Sequence, residues 1–143
     1  MSKVGIIYWS STGNTEAMAN EVAEGAKAAG AEVDVLTASE FGADKMDAYD
    51  AVAFGCPAMG AEELEDSEFE PMFSDCEGKL GGKKIALFGS YGWGDGEWMR
   101  NWVEQMEGAG ATVVGGEDTI CQEAPDADAQ DELKAMGKQL AAI

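Results

Sequence analysis

The sequence predicts an α/β fold of the doubly wound kind, with five parallel strands and helices on both faces of the sheet. Three observations lead there. Strand-like apolar runs alternate with segments of helical period along the whole chain, the pattern of βα units built around a parallel sheet. Two of those runs, Ala51-Val52-Ala53-Phe54-Gly55-Cys56 and Ile85-Ala86-Leu87-Phe88-Gly89, are apolar almost throughout, as strands covered on both faces must be. The loops after the first, third and fourth runs carry unusual chemistry, and open parallel sheets bind ligands beyond the C-terminal ends of their strands. Right-handed crossovers then restrict the topology to a doubly wound sandwich.

Taken in order, Val4-Gly5-Ile6-Ile7-Tyr8-Trp9 reads as the first strand. Ser10-Ser11-Thr12-Gly13-Asn14-Thr15 is a hydroxyl-rich turn into a helix running to about Ala29. Met18, Val22, Ala26 and Ala29 share one face of that helix, and Gly30 is placed as its C′ residue. Glu32-Val33-Asp34-Val35-Leu36 alternates polar and apolar residues, as a half-buried edge strand does. Residues 37–49 are mixed, with a helical turn expected around Met46-Asp47-Ala48. After the third strand comes the loop Pro57-Ala58-Met59-Gly60-Ala61, then an acidic stretch from Glu62 to Glu70. Ser67 and Glu70 have capping-box spacing. Phe69, Met72, Phe73 and Cys76 repeat at helical intervals, so a helix is expected from near Ser67. The fourth strand, to Gly89, opens into Ser90-Tyr91-Gly92-Trp93-Gly94-Asp95-Gly96. A helix from about Glu97 to Glu107 follows, with Trp98, Met99, Trp102, Val103 and Met106 as its apolar stripe. Thr112-Val113-Val114 begins a fifth strand that resumes at Thr119-Ile120-Cys121. Pro125 opens the last helix, whose inner face is Leu133, Met136, Gly137 and Leu140. One domain over residues 1–143 accommodates all of this.

The chain holds 9 basic and 28 acidic residues, for a net charge of −19. That balance argues against nucleic acid or anionic lipid as a partner and favours basic surfaces on partner proteins. There is no histidine, which removes His-based triads and His metal ligands together. Cys56, Cys76 and Cys121 form no C-x-x-C pair and are expected to be buried, reduced thiols. No apolar run reaches the roughly 20 residues of a membrane span, and the first strand begins at once, so a cytoplasmic protein is expected.

The first turn would expose backbone N–H groups at the positive end of a helix, where an anion such as phosphate binds. No Lys or Arg sits in it, so neutral donors would hold the anion. Met59 and Trp93 each stand alone among small residues in the other two loops, with Tyr91 and Trp9 nearby. These are the apolar covers a flat aromatic ligand needs. Trp98 and Trp102, at helical spacing, are assigned to the core instead.

Thr12-Gly13-Asn14-Thr15 after the first strand, Ala58-Met59-Gly60 after the third and Ser90-Tyr91-Gly92-Trp93-Gly94-Asp95-Gly96 after the fourth resemble the flavodoxins, most nearly the short-chain clostridial type. The likeness covers essentially the whole chain. It implies strand order 2-1-3-4-5 and one non-covalent FMN at the switch point, flavodoxins themselves being a standing example of that placement. It also implies a low-potential one-electron carrier that shuttles between redox enzymes as a monomer, not an enzyme. Ser10, Ser11, Thr12, Gly13, Asn14 and Thr15 would bind the phosphate, with Trp9 nearby. Met59 and Trp93 would cover the two faces of the flavin ring. The Met59–Gly60 peptide would turn over on one-electron reduction to accept a hydrogen bond from flavin N5–H, and Glu62 would accept from N3–H. Pro57 and Ala61 replace polar residues of some relatives; Ser90, Tyr91, Gly92 and Gly94 complete the expected cofactor contacts.

Other readings of the fold fit less well. A receiver domain needs an acidic pair where Tyr8-Trp9-Ser10 stands. A dinucleotide-binding G-x-G-x-x-G fails at Glu97, and the P-loop pattern is absent. The alternative retained is a small FMN-dependent enzyme resembling an NAD(P)H-quinone reductase.

Overall fold

The computed structural model describes residues 3–10, 13–57, 68–91, 97–115, 120–122 and 125–141. Along the chain run β1 (Lys3–Tyr8), α1 (Asn14–Ala28), β2 (Glu32–Thr37), β3 (Ala51–Gly55), α2 (Phe69–Cys76), β4 (Lys84–Tyr91), α3 (Glu97–Gly108), β5 (Thr112–Gly115), β6 (Ile120–Gln122) and α4 (Ala127–Ala141). The strands pair in parallel in the order β2-β1-β3-β4-β5. The expected doubly wound sheet is therefore present, with β2 on its edge. The interrupted fifth strand is found as β5 and β6, which both pair with β4. Val113 faces Ile85 in β5, and Ile120 faces Gly89 in β6.

Side chains of successive strand residues point to opposite faces, and here they divide into two cores. On one face Ile7, Val52, Phe54, Ile85 and Leu87 meet α2 and α3 through Phe69, Phe73, Trp98 and Trp102. On the other, Val4, Ile6, Ala51, Ala53 and Ala86 meet α1 and α4 through Met18, Val22, Leu133 and Leu140. The small alanines allow α1 and α4 to lie close to the sheet. The two helices also lie close to one another: a Cβ on Gly137 would run into the Val22 carbonyl oxygen, so that position admits only glycine without displacing backbone.

Most expected helices fall within a residue or two of their predicted ends. α2 begins at Phe69, and the predicted start at Ser67 lies outside the described residues. Residues 37–49 fold as two 3-10 segments, Ala38–Glu40 and Ala43–Ala48. Gly30 has φ 93° past the end of α1, as a C′ glycine does.

Cys56 and Cys76 are buried free thiols; the Cys121 side chain lies outside the described residues. Burial, then the nearby carboxylates of Asp75 and Asp44, push the Cys76 thiol up from 9.0 to about 12. The folded state therefore favours the neutral thiol. That contribution to stability is whole below about pH 9, where the unfolded thiol is also neutral, and is lost as pH rises towards 12. Iodoacetamide at pH 8 is expected to leave Cys76 unmodified in the native protein and to label it in urea, read by peptide mass. Native labelling at the rate of a free thiol would contradict the burial.

Candidate functional site

The end of β1 is fixed before the loop begins. The Trp9 amide donates to the Gly55 carbonyl at 3.0 Å, tying the loop to the end of β3. Ser10 Oγ then accepts from the Gly13 amide at 3.0 Å. Gly13 caps α1 with φ 95°, in the left-handed region, and a Cβ there would meet nothing within 4 Å. Backbone conformation, not lack of room, is what calls for glycine at this turn.

Having no side chain, Gly13 cannot cap the helix in the usual way. The first helical bond runs from Ala17 N–H to the Gly13 carbonyl at 3.0 Å. The amides of Asn14, Thr15 and Glu16 take no partner among the described residues. Thr15 is only 1% exposed. Three N–H groups without a partner among the described residues, at the positive end of a 15-residue helix, form a neutral donor set suited to a phosphate monoester.

A cavity of about 620 Å³ opens at this end of α1, lined there by Gly13 and Glu16, within the usual size of a cofactor cleft. The first turn lends it Trp9, Ser10 and Gly13; Thr37 and Ser39 line it from the end of β2, and Glu68 from the start of α2. Tyr8 and Glu16 complete it, with the Tyr8 hydroxyl donating to Glu16 Oε2 at 2.8 Å. Burial, then the Glu16 carboxylate, raises the Tyr8 pKa. No Lys or Arg among the described residues lines this cavity. The donor chemistry and the space both fit the phosphate end of FMN.

The ends of β3 and β4 are locked together. The Cys56 amide donates to the Phe88 carbonyl at 3.1 Å. The buried Trp98 indole donates back to the Cys56 carbonyl at 3.3 Å. Trp98 and Trp102, as expected, belong to the core. Half-buried Pro57 follows directly. Ser90 and Tyr91 differ from expectation: they are the last residues of β4, not a loop, and pair with Cys121 and Gln122. Ser90 is buried, and the Tyr91 ring packs 5.7 Å from that of Trp98.

Of the predicted cofactor residues, Trp9, Ser10 and Gly13 line the cavity, while the amides of Asn14 and Thr15 take no partner among the described residues. Ser11, Thr12, Ala58, Met59, Gly60, Ala61, Glu62, Gly92, Trp93 and Gly94 lie outside the described residues. Tyr8, Glu16, Thr37, Ser39 and Glu68 line the cavity without having been expected from the sequence. The one available signal was Glu16 at the third position of a helix whose cap is glycine.

The model of the flavodoxin family matches residues 6–137. A flavodoxin of Megasphaera elsdenii is 51% identical over 138 residues, covering 96% of this chain and 98% of its own. One of Clostridium beijerinckii is 47% identical, with 96% and 99% covered. The solution structure of two-electron reduced Megasphaera elsdenii flavodoxin superposes with a TM-score of 0.90 over 98% of this chain and 99% of that one.

Proposed function

The chain belongs to the flavodoxin family, whose members are FMN-binding electron carriers, not enzymes, and we propose on that footing how it holds its cofactor. Ser10, Ser11, Thr12, Gly13, Asn14 and Thr15 bind the FMN phosphate. Met59 and Trp93 flank the ring, Glu62 accepts from its N3–H, and the remaining loop residues from Pro57 to Ala61 and from Ser90 to Gly94 line its edge. The observation that carries this reading is the amino end of α1, where the amides of Asn14, Thr15 and Glu16 take no partner among the described residues, next to a cavity lined by Gly13 and Glu16 that no cation among the described residues lines.

FMN, when bound, supplies one-electron redox chemistry. The protein's part is to anchor and to bias. The turn offers neutral donors, so the phosphate is held by hydrogen bonds and the α1 dipole without a side-chain cation. A net charge of −19 disfavours further negative charge at the site, which lowers the potential at which the carrier works.

Electron carriers of this family exchange electrons with redox partner proteins. Here the acidic surface docks basic patches on them transiently, in a manner weakened by salt. The chain acts as a single domain and as a monomer, in the cytoplasm. No helix among the described residues is long and apolar enough to cross a membrane.

Thr15→Ala tests the division between anchoring and tuning. It is expected to weaken FMN binding by about tenfold while leaving both midpoint potentials in place. Isothermal titration and an anaerobic redox titration measure the two. A large potential shift with unchanged affinity would sink the assignment of this turn to the phosphate.

A further inference from the structure

We infer that Tyr8 is a positioning residue for the cofactor phosphate: its hydroxyl holds Glu16 away from the amino end of α1, and so keeps open the amides that the anion needs. The inference rests on the reading that residues 10–15 bind the FMN phosphate.

Glu16 is the third residue of α1, counted from Asn14. A glutamate there ordinarily folds back to the cap residue's amide, forming half of a capping box, and its charge then occupies the positive end of the helix. The chain uses that device elsewhere. At the 3-10 segment Ala38–Glu40, the Thr37 amide donates to Glu40 Oε1 at 2.9 Å. At α4 the amino end is satisfied by the cap residue's own side chain instead, Asp126 Oδ1 accepting from the Ala129 amide at 2.9 Å. At α1 the cap is glycine and has no side chain to form one half of the box, and both partners of the other half are diverted. The Gly13 amide, which Glu16 would take, is already bonded to Ser10 Oγ. Glu16 Oε2 is bonded to the Tyr8 hydroxyl, and both residues line the cavity. The helix thus has a carboxylate at the self-capping position and does not use it.

Without the Tyr8 hydroxyl, the Glu16 carboxylate is free to turn to the open amides. It would compete with the phosphate for the same donors and repel it. Removing the carboxylate should abolish that competition, so the effect of Tyr8 must depend on Glu16.

The test compares FMN with riboflavin, which lacks the phosphate. Apoprotein of the full chain is titrated with each, following flavin fluorescence, for the wild type, Tyr8→Phe, Glu16→Gln and the double variant. The wild type should bind FMN more tightly than riboflavin. Tyr8→Phe should lose about tenfold in FMN affinity and keep its riboflavin affinity. The double variant should bind FMN as Glu16→Gln does. An equal loss from Tyr8→Phe in the wild-type and Glu16→Gln backgrounds, a parallel loss for riboflavin, or no loss at all overturns the positioning role while leaving the phosphate site standing. Equal affinity of the wild type for FMN and riboflavin overturns the phosphate reading itself, and this inference with it.

Discussion

Replacing Phe54 with alanine is expected to cost about 3–5 kcal/mol of stability. Phe54 is fully buried, next to the last residue of β3. Its ring stands edge-on to Phe41 at 6.3 Å, to Phe69 at 6.4 Å and to Phe73 at 5.6 Å. Phe69 and Phe73 in turn meet Trp102 edge-on at 5.4 and 5.7 Å. Truncation removes one partner from three ring contacts and leaves a void between the sheet and α2. The surrounding elements are held by the sheet's own pairing, so they close the void only in part. The thermal midpoint should fall by roughly 10 °C or more. Urea unfolding of the apoprotein measures the loss without the contribution of cofactor binding. A cost under about 1.5 kcal/mol would mean that α2 collapses onto the gap.

Trp93→Ala is expected to carry the largest effect on the cofactor. Trp93 is flanked by Gly92 and Gly94, with Gly96 close behind, so its immediate neighbours give it little cover. A stacked flavin ring would supply that cover, and aromatic stacking of this kind is worth about 1–3 kcal/mol. Loss of the indole should therefore weaken FMN binding by roughly tenfold to a hundredfold. It should also brighten flavin fluorescence in the complex, because the quenching ring is gone. Riboflavin affinity should fall in step, which separates this residue from those of the phosphate turn. If affinity and fluorescence are both unchanged, Trp93 does not stack on the ring.

Much of the fold was legible because its signals are local. The buried strands β3 and β4 declared themselves by unbroken apolar runs, and α1, α3 and α4 by the spacing of residues such as Met18 and Val22, Trp98 and Trp102, Leu133 and Leu140. The end of β4 was not legible. Ser90 and Tyr91 read as the start of a glycine-rich loop, and what makes them strand is pairing with Cys121 and Gln122, some thirty residues further on. Of the 3-10 segments after β2, Ala43–Ala48 covers the turn expected around Met46-Asp47-Ala48, while Ala38–Glu40 was too short to leave a period. In the site, the entry into α1 was readable from Gly13, which caps the helix in the left-handed region, while Ser11 and Thr12 lie outside the described residues. The contact of Tyr8 with Glu16 was not: it requires knowing that the end of β1 and the first turn of α1 face each other, and sequence alone would assign Glu16 to capping its own helix.

The packing of α4 on α1 bears on the order of synthesis. Strands β1, β2 and β3, which pair with one another in the finished sheet, are complete in sequence once residue 55 has been made. The core on the face of the sheet that carries Val4 and Ile6, part of it covered by Met18 and Val22 of α1, is not closed until Leu133, Met136 and Leu140 have followed. A nascent chain therefore presents an apolar surface through most of its elongation, the condition under which ribosome-bound chains attract chaperones or one another. The last helix made is the one that ends that exposure.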